Sequence, residues 1–345
     1  MPSDEKPVNA MRLSLVVPCF NEEAVLSTFH ETIRKELGDI GAEVEICYVD
    51  DGSSDGTLRI LRQLAEKDPA AKYVSFSRNF GKEAAMLAGL EQATGDAVVI
   101  MDADLQHPPE LIPRMLDLHL KGHEQVIARR SREGDKKLRS FASSSYYKLV
   151  NKWVDVELVD GVGDFRLLSR RALDALLSLR EYNRFSKGLY SWIGYDSVMF
   201  EYKNVTRELG QTKWSFGKLL NYGLDGLISF NNRPLRVAIY FGLVLSAFSL
   251  AYTLALIGIA IFQGVSTPGY ITIIAAVTGL GGLQMTMLGL IGEYIGRIYY
   301  ETKNRPHYLV RESTEDRPGR VPAPANMKAI IRETSSDVLP REVSR

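Results

Sequence analysis

The sequence predicts an α/β domain on a mostly parallel sheet with flanking helices, followed by an amphipathic helix and a two-helix apolar hairpin. Three observations predict it. Apolar strands alternate with amphipathic helices as far as Met101, polar clusters stand at the ends of three of those strands, and no charged residue occurs from Val237 to Gly292.

The first segment, residues 1–11, is polar and carries acids as well as bases, with no apolar core of signal-peptide length behind it. It reads as an N-terminal extension. The α/β domain then runs over 12–215. Strands are expected at Leu13 to Pro18, Val44 to Val49, Tyr73 to Phe76 and Ala97 to Met101, with helices after Asn21, Ser54 and Lys82. Strand, helix, strand at this spacing gives a parallel, helix-covered sheet, whose ligands gather at the carboxyl ends of the strands. Pro18-Cys19-Phe20-Asn21-Glu22, Asp50-Asp51-Gly52-Ser53 and Asp102-Ala103-Asp104 all fall there.

Residues 216–235 follow, with Leu219, Leu220, Tyr222, Leu224, Leu227 and Ile228 at helical spacing and Lys218, Asn221 and Asp225 between them. Lying next to an apolar block, this segment is expected to be a juxtamembrane helix. The block itself, 236–298, divides at Gln263-Gly264-Val265-Ser266-Thr267-Pro268-Gly269 into spans of about 237–262 and 271–292, each near the ~20 residues that cross hydrocarbon. Arg233 and Arg236 precede it, Arg297, Lys303 and Arg305 follow it, and the loop between the spans has no charge. The positive-inside rule therefore places both ends, and with them the α/β half, in the cytoplasm at the inner membrane. Gly289, Gly292 and Gly296, near one helix face, suit close packing in a homo-oligomer. The tail, 299–345, is expected to be largely disordered after 311, being rich in Arg, Glu, Pro and Ser without apolar periodicity.

Composition removes several classes. Acidic and basic residues balance at 42 each, so no global basic field argues for nucleic acid. Cys19 and Cys47 each sit in an apolar run, as reduced core residues do. Neither a G-x-G-x-x-G after the first strand nor a G-x-x-x-x-G-K-[ST] is present, against dinucleotide and P-loop sites.

Asp102 and Asp104, two apart at a strand end, project from one edge and need a cation. A hard ion such as Mg²⁺ or Mn²⁺, held by one or two carboxylates and by phosphate oxygens, neutralises charge developing on a diphosphate leaving group. Gln106 offers a further oxygen. In Asp50 to Thr57 the carboxylates can accept from a base or ribose edge, and Ser54 or Asp55 can cap the following helix.

Val16-Val17-Pro18-Cys19-Phe20-Asn21-Glu22-Glu23, Val49-Asp50-Asp51-Gly52-Ser53-Ser54-Asp55-Gly56-Thr57 and Met101-Asp102-Ala103-Asp104-Leu105-Gln106 resemble the inverting GT-A nucleotide-sugar glycosyltransferases. Asn79-Phe80-Gly81-Lys82-Glu83, Gly163-Asp164-Phe165-Arg166-Leu167, Arg207 to Ser215, Asn232-Arg233-Pro234-Leu235 and Gly292 to Arg297 are similar to the polyprenyl-phosphate branch, in particular the bactoprenol glucosyltransferases. The resemblance covers about residues 12 to 310. It implies that Pro18, Phe20, Glu22, Val49 and Asp51 cradle the nucleoside, that Lys82, Asp102 and Ala103 join them around the nucleotide-sugar, and that Asp102, Asp104 and Gln106 serve the metal. It further implies that Arg129, Arg207 and Lys213 bind phosphates and that Asp164, Asp104 and Arg166 carry the chemistry. Asp164 is a candidate base or acceptor-positioning group. Positioning is favoured, because a phosphate acceptor with a second pKa near ~6 is already largely ionised at neutral pH.

The expected reaction is inverting transfer of glucose from UDP-glucose to polyprenyl (undecaprenyl) phosphate, with a lipid-linked sugar flippase as a downstream partner. Another sugar (GlcNAc, mannose or an aminoarabinose type) stays open. A processive polysaccharide synthase would carry a Gln-x-x-Arg-Trp motif and more spans, and neither is present. An inactive membrane scaffold would be expected to have lost an acidic or phosphate-binding residue, and every such position keeps its residue.

Overall fold

The computed structural model describes residues 11–131, 162–202 and 269–314, with scattered helical positions between 240 and 262. The juxtamembrane segment 216–235 and most of the first expected span lie outside the described residues.

The strand β1 (Arg12–Cys19), β2 (Glu43–Asp50), β3 (Ala71–Phe76) and β4 (Ala97–Ile100) form the parallel part of one sheet. Leu13, Leu15, Val16, Val17, Ile46, Val98 and Val99 have at most 1% exposure, as expected of central strands covered on both faces, where alternation gives way to continuous apolar runs. Between them lie α1 (Leu26–Leu37), α2 (Thr57–Lys67) and α3 (Lys82–Gln92). In α1 the buried residues Leu26, Phe29, His30, Ile33 and Leu37 recur at three and four, one apolar stripe against the sheet. In α3 every residue from Ala84 to Leu90 is buried. Gly89 permits this depth, since a Cβ there would stand 2.4 Å from Val16 Cγ1.

A short 3₁₀ turn (Pro109–Leu111) leads into α4 (Ile112–Leu120) and β5 (Gln125–Arg130). After 161 come β6 (Val162–Ser169), α5 (Arg170–Ser178), α6 (Ser186–Trp192) and β7 (Ser197–Tyr202). The Ser169 hydroxyl caps α5 by accepting from Ala172 N–H at 3.0 Å. The helix α7 (Tyr270–Lys303) and the strand β8 (Val310–Ser313) complete the described elements.

The sheet order is β7-β5-β6-β4-β1-β2-β3-β8. The strands β1, β2 and β3 progress one way, and β4 returns to the other side of β1, so the connections diverge above the β1/β4 boundary and open a crevice at the carboxyl edge. The strand β6 runs antiparallel between β4 and β5, and β7 is parallel to β5. The sheet is thus mostly parallel but mixed.

The tail departs from the sequence expectation. Its β8 pairs antiparallel with β3, where the absence of apolar periodicity had suggested disorder from about Glu312. Charge and aromatic contacts hold it instead. Arg62 makes two bonds to Glu312, at 2.7 and 2.6 Å, Tyr73 OH donates to Glu312 at 3.1 Å, and Tyr308 stacks on Phe76 with centroids 4.7 Å apart.

Among the described residues no helix is long and apolar enough to cross a membrane. The helix α7 nevertheless has 34 residues and exposes Ile273, Val277, Leu280, Met285, Leu288, Ile291, Ile295 and Ile298. An added Cβ at Gly289, Gly292 or Gly296 would meet nothing within 4 Å. At its end Tyr300 stacks on Tyr182 (5.5 Å, 4°), and Glu301 accepts from Tyr182 N–H at 2.8 Å.

Candidate active site

The loops after β1 and β2 are laced together. Asn21 takes a left-handed φ of 56° and its side chain accepts from Ser54 N–H at 2.9 Å. Its own N–H donates to Ser53 Oγ (2.9 Å), Glu22 N–H donates to Thr57 Oγ1 (2.9 Å), and Gly56 N–H donates to Glu23 Oε2 (2.9 Å). Neither expected residue is the N-cap of α2, which is Gly56 without a side-chain cap; Asp55, one residue earlier, accepts from Thr57 N–H at 3.0 Å and Thr57 Oγ1 at 2.6 Å. The lacing leaves Phe20 exposed and Pro18 half-buried at the rim of the crevice, with Glu22 beside them.

Two of the residues expected to cradle the nucleoside are buried. Asp51 is 3% exposed and its carboxylate accepts from the N–H groups of Phe80 (2.7 Å) and Gly81 (3.1 and 3.0 Å). Burial raises its pKa, against those two bonds. It holds the loop that leads into α3. Val49 is fully buried in an apolar cluster with Val74, Phe76, Ala84, Ala85 and Ala88, so its side chain supports α3 from beneath.

The acidic centre comes from register. Ile100 of β4 pairs with Arg166 of β6 in an antiparallel ladder, and two residues further on Asp102 comes level with Asp164. Between them stands Lys82, the first residue of α3, with Nζ 2.7 Å from Asp102 Oδ1 and 2.8 Å from Asp164 Oδ2. Burial works against all three charges, and pairing outweighs it. Lys82 is held protonated well above the usual lysine range by the two carboxylates. Asp102 is held below the usual carboxylate range by Lys82 and His107, and Asp164 by Lys82. All three stay ionised at neutral pH.

Ala103 is buried, and Asp104 Oδ1 accepts from Gln106 N–H at 3.1 Å in a turn where Leu105 is left-handed (φ 56°). The structure thus gathers Asp102, Asp104 and Gln106 in one turn at the strand end. Among the described residues no group of three His, Cys, Asp or Glu side chains forms a ready-made metal cage. Two ionised or ionisable carboxylates at one edge instead fit a hard divalent ion whose remaining oxygens come from water and a diphosphate.

Arg166 lies under this centre rather than in it. It is 3% exposed, its guanidinium rests 3.7 Å above the Tyr190 ring, and its Nη2 donates to Gly163 O at 3.1 Å. Burial lowers its pKa. This supports the backbone just before Asp164. Arg129 is half-buried near the carboxyl end of β5, 3.6 Å from Glu201. Arg207 and Lys213 lie outside the described residues.

Sequence reasoning missed His107, Tyr202 and the Glu83–Ser186 pair. His107 shares a 2.9 Å hydrogen bond with Tyr202 OH through Nδ1, stacks on Phe165, and sets Nε2 3.7 Å from Asp102 Oδ2. Its place three residues after Asp104 was the available signal. The Ser186 hydroxyl donates to Glu83, whose pKa burial pushes up to about 6 against the bonds from Ser186.

A mostly parallel α/β sheet whose acidic turn opens at the β1/β4 switch point has the architecture of the GT-A glycosyltransferases. The comparisons with known proteins carry this further. The chain belongs to glycosyl transferase family 2, which it matches over residues 14–177, and it matches the GtrB C-terminal hairpin over residues 233–298. It is 52% identical to the putative glycosyltransferase CsbB of Bacillus subtilis, over 87% of this chain and 92% of that protein. It is 42% identical to the prophage bactoprenol glucosyl transferase homolog of Escherichia coli, and 43% identical to the bactoprenol glucosyl transferase of Shigella phage SfX, over 87% of this chain and 99% of each relative. Among solved structures, the mannosyltransferase PcManGT from Pyrobaculum calidifontis in complex with GDP-Man and Mn²⁺ aligns with a TM-score of 0.44 at 19% identity, covering 88% of this chain and 90% of that one.

Proposed function

We propose that the protein transfers glucose from UDP-glucose to a polyprenyl phosphate at the cytoplasmic face of a membrane, inverting the anomeric configuration. One observation carries the reading. The exit end of α7 docks through Tyr300 and Glu301 on the Tyr182 loop, which leads into Ser186 and its bond to Glu83 beside Lys82. An acidic donor site and the end of an apolar hairpin therefore lie along one continuous path of contacts. The uncharged stretch from Val237 to Gly292 and the exposed apolar side chains of α7 support a membrane setting. The names of the relatives support the lipid acceptor and glucose.

Asp102 and Asp104, with Gln106 beside them, would hold Mg²⁺ or Mn²⁺. The ion supplies charge neutralisation for the departing diphosphate. Phe20 offers an exposed ring for the base. The acceptor phosphate oxygen attacks the anomeric carbon from the face opposite the diphosphate, so an α-linked donor gives a β-linked lipid-phosphate sugar. Asp164 positions rather than deprotonates. Held ionised with its charge shared by Lys82, it is a weak base facing an acceptor that is already largely ionised. The site works by alignment and leaving-group stabilisation.

The test incubates purified protein with Mn²⁺ or Mg²⁺, a short polyprenyl phosphate and a panel of radiolabelled nucleotide-sugars. A lipid-linked product from UDP-glucose is expected, and no lipid-linked product from any donor rejects the reading.

A further inference from the structure

We propose that Lys82 makes divalent-ion binding at the Asp102-Ala103-Asp104 turn depend on a nucleotide diphosphate, by occupying Asp102 as a tethered cation until the phosphates arrive. The inference rests on the nucleotide-sugar reading above and deepens it.

The geometry leaves little choice about where the ammonium sits. Asp102 Oδ1 is taken by Lys82 at 2.7 Å, and Asp102 Oδ2 faces His107 at 3.7 Å. A metal ion seeking Asp102 must share it with an ammonium or displace it. The helix that carries Lys82 is anchored at two places, because Asp51 holds the Phe80 and Gly81 N–H groups just before its first residue and Gly89 seats it on Val16. Only the side chain can move, and at 44% exposure it has room to do so.

Charge decides when it moves. Lys82 cancels one of the formal negative charges that Asp102, Asp104 and Asp164 bring to the turn, so a dication arriving alone gains less than it would from the bare carboxylates and is pushed by the ammonium. A diphosphate brings two or more negative charges and gives Lys82 a new partner. Lys82 also stands at the N-terminus of α3, whose positive end disfavours a lysine and favours a phosphate, so both partners of the exchange gain. Metal and nucleotide then strengthen each other's binding by the same factor.

The experiment reads free Mn²⁺ by electron paramagnetic resonance during titration of the full-length protein in detergent, with and without UDP. In wild type, UDP is expected to tighten Mn²⁺ binding by about tenfold or more. Lys82→Gln is expected to bind Mn²⁺ alone about tenfold tighter than wild type and to lose most of the coupling. Lys82→Met is read in the same way, and Lys82→Arg, which keeps the charge, retains the coupling. If UDP tightens Mn²⁺ in wild type but both neutral variants bind Mn²⁺ alone no better than wild type, the Lys82 inference is overturned and the nucleotide-sugar reading stands. If wild type binds no Mn²⁺ even with saturating UDP, the metal reading falls and the inference falls with it.

Discussion

Gly52 is where a single methyl group should do the most damage at the least chemical change. It turns the chain after β2 with φ +65°, and a Cβ there would stand 2.4 Å from the Arg78 carbonyl carbon and 2.7 Å from Asn79 N. These are backbone atoms, which cannot rotate away. Left-handed backbone costs an alanine about 1–2 kcal/mol, and forcing apart a packed contact adds about 1–3 kcal/mol. Gly122 supplies the control: it is also left-handed (φ +98°), yet a Cβ there meets nothing within 4 Å. Gly122→Ala should therefore show the conformational cost alone. At about 2–4 °C per kcal/mol, Gly52→Ala should lower the thermal midpoint by roughly 10 °C and Gly122→Ala by about half that or less. The chemistry should separate them further. Residues 78–79 lead into the Phe80 and Gly81 N–H groups that Asp51 holds, and so into Lys82. UDP binding by calorimetry should be lost in Gly52→Ala and kept in Gly122→Ala. Equal midpoints for the two variants, or wild-type UDP affinity in Gly52→Ala, would refute the argument.

Other outcomes follow from the same contacts. Asp164→Asn should lower turnover strongly while UDP-glucose binding survives, and near wild-type turnover would remove Asp164 from the reaction. Glu83 has a folded pKa near 6, raised by burial above its ordinary 4.5, so the stability it contributes is present below that ordinary value and is lost as pH rises through about 6. Glu83→Gln should flatten the thermal midpoint across that window, and an unchanged pH profile counts against the assignment. Tyr308→Ala removes the stack on Phe76 and the bond to Glu91, and should cost at least about 1 kcal/mol while freeing the tail to protease. Unaltered protection of residues 310–314 would show that β8 does not depend on it.

The parallel half of the fold was legible because its strands are buried on both faces and therefore read as apolar runs. The expected Val44 to Val49 and Ala97 to Met101 are observed at Glu43–Asp50 and Ala97–Ile100. The other half was not. The strand β6 carries Gly163, Asp164 and Arg166 along its length, and Arg166 is buried only because Tyr190 and Gly163 receive it. The strand β8, Val-Arg-Glu-Ser, has no apolar pattern and is held by Arg62 and Tyr73 from far along the chain. The site divided in the same way. Asp102, Asp104 and Gln106 could be read from adjacency, whereas the meeting of Asp102 with Asp164 depends on a strand register that local sequence does not encode. Lys82 was expected to touch the nucleotide-sugar, but its bridge between two acids required coordinates. The bonds that Asp51 accepts from the Phe80 and Gly81 N–H groups were equally out of reach, because they join two loops that local sequence does not pair.

The pairing of β3 with β8 also sets a schedule for synthesis. Tyr73 meets Thr314 across 241 positions, so the outer edge of the sheet stays unpaired while the rest of the enzyme, including the apolar hairpin region 233–298, leaves the ribosome. An open strand edge invites adhesion to other chains. The last described strand closes that edge only after residues 233–298 have been made, so a nascent chain stalled before residue 310 would carry a nearly complete catalytic domain with one sticky side.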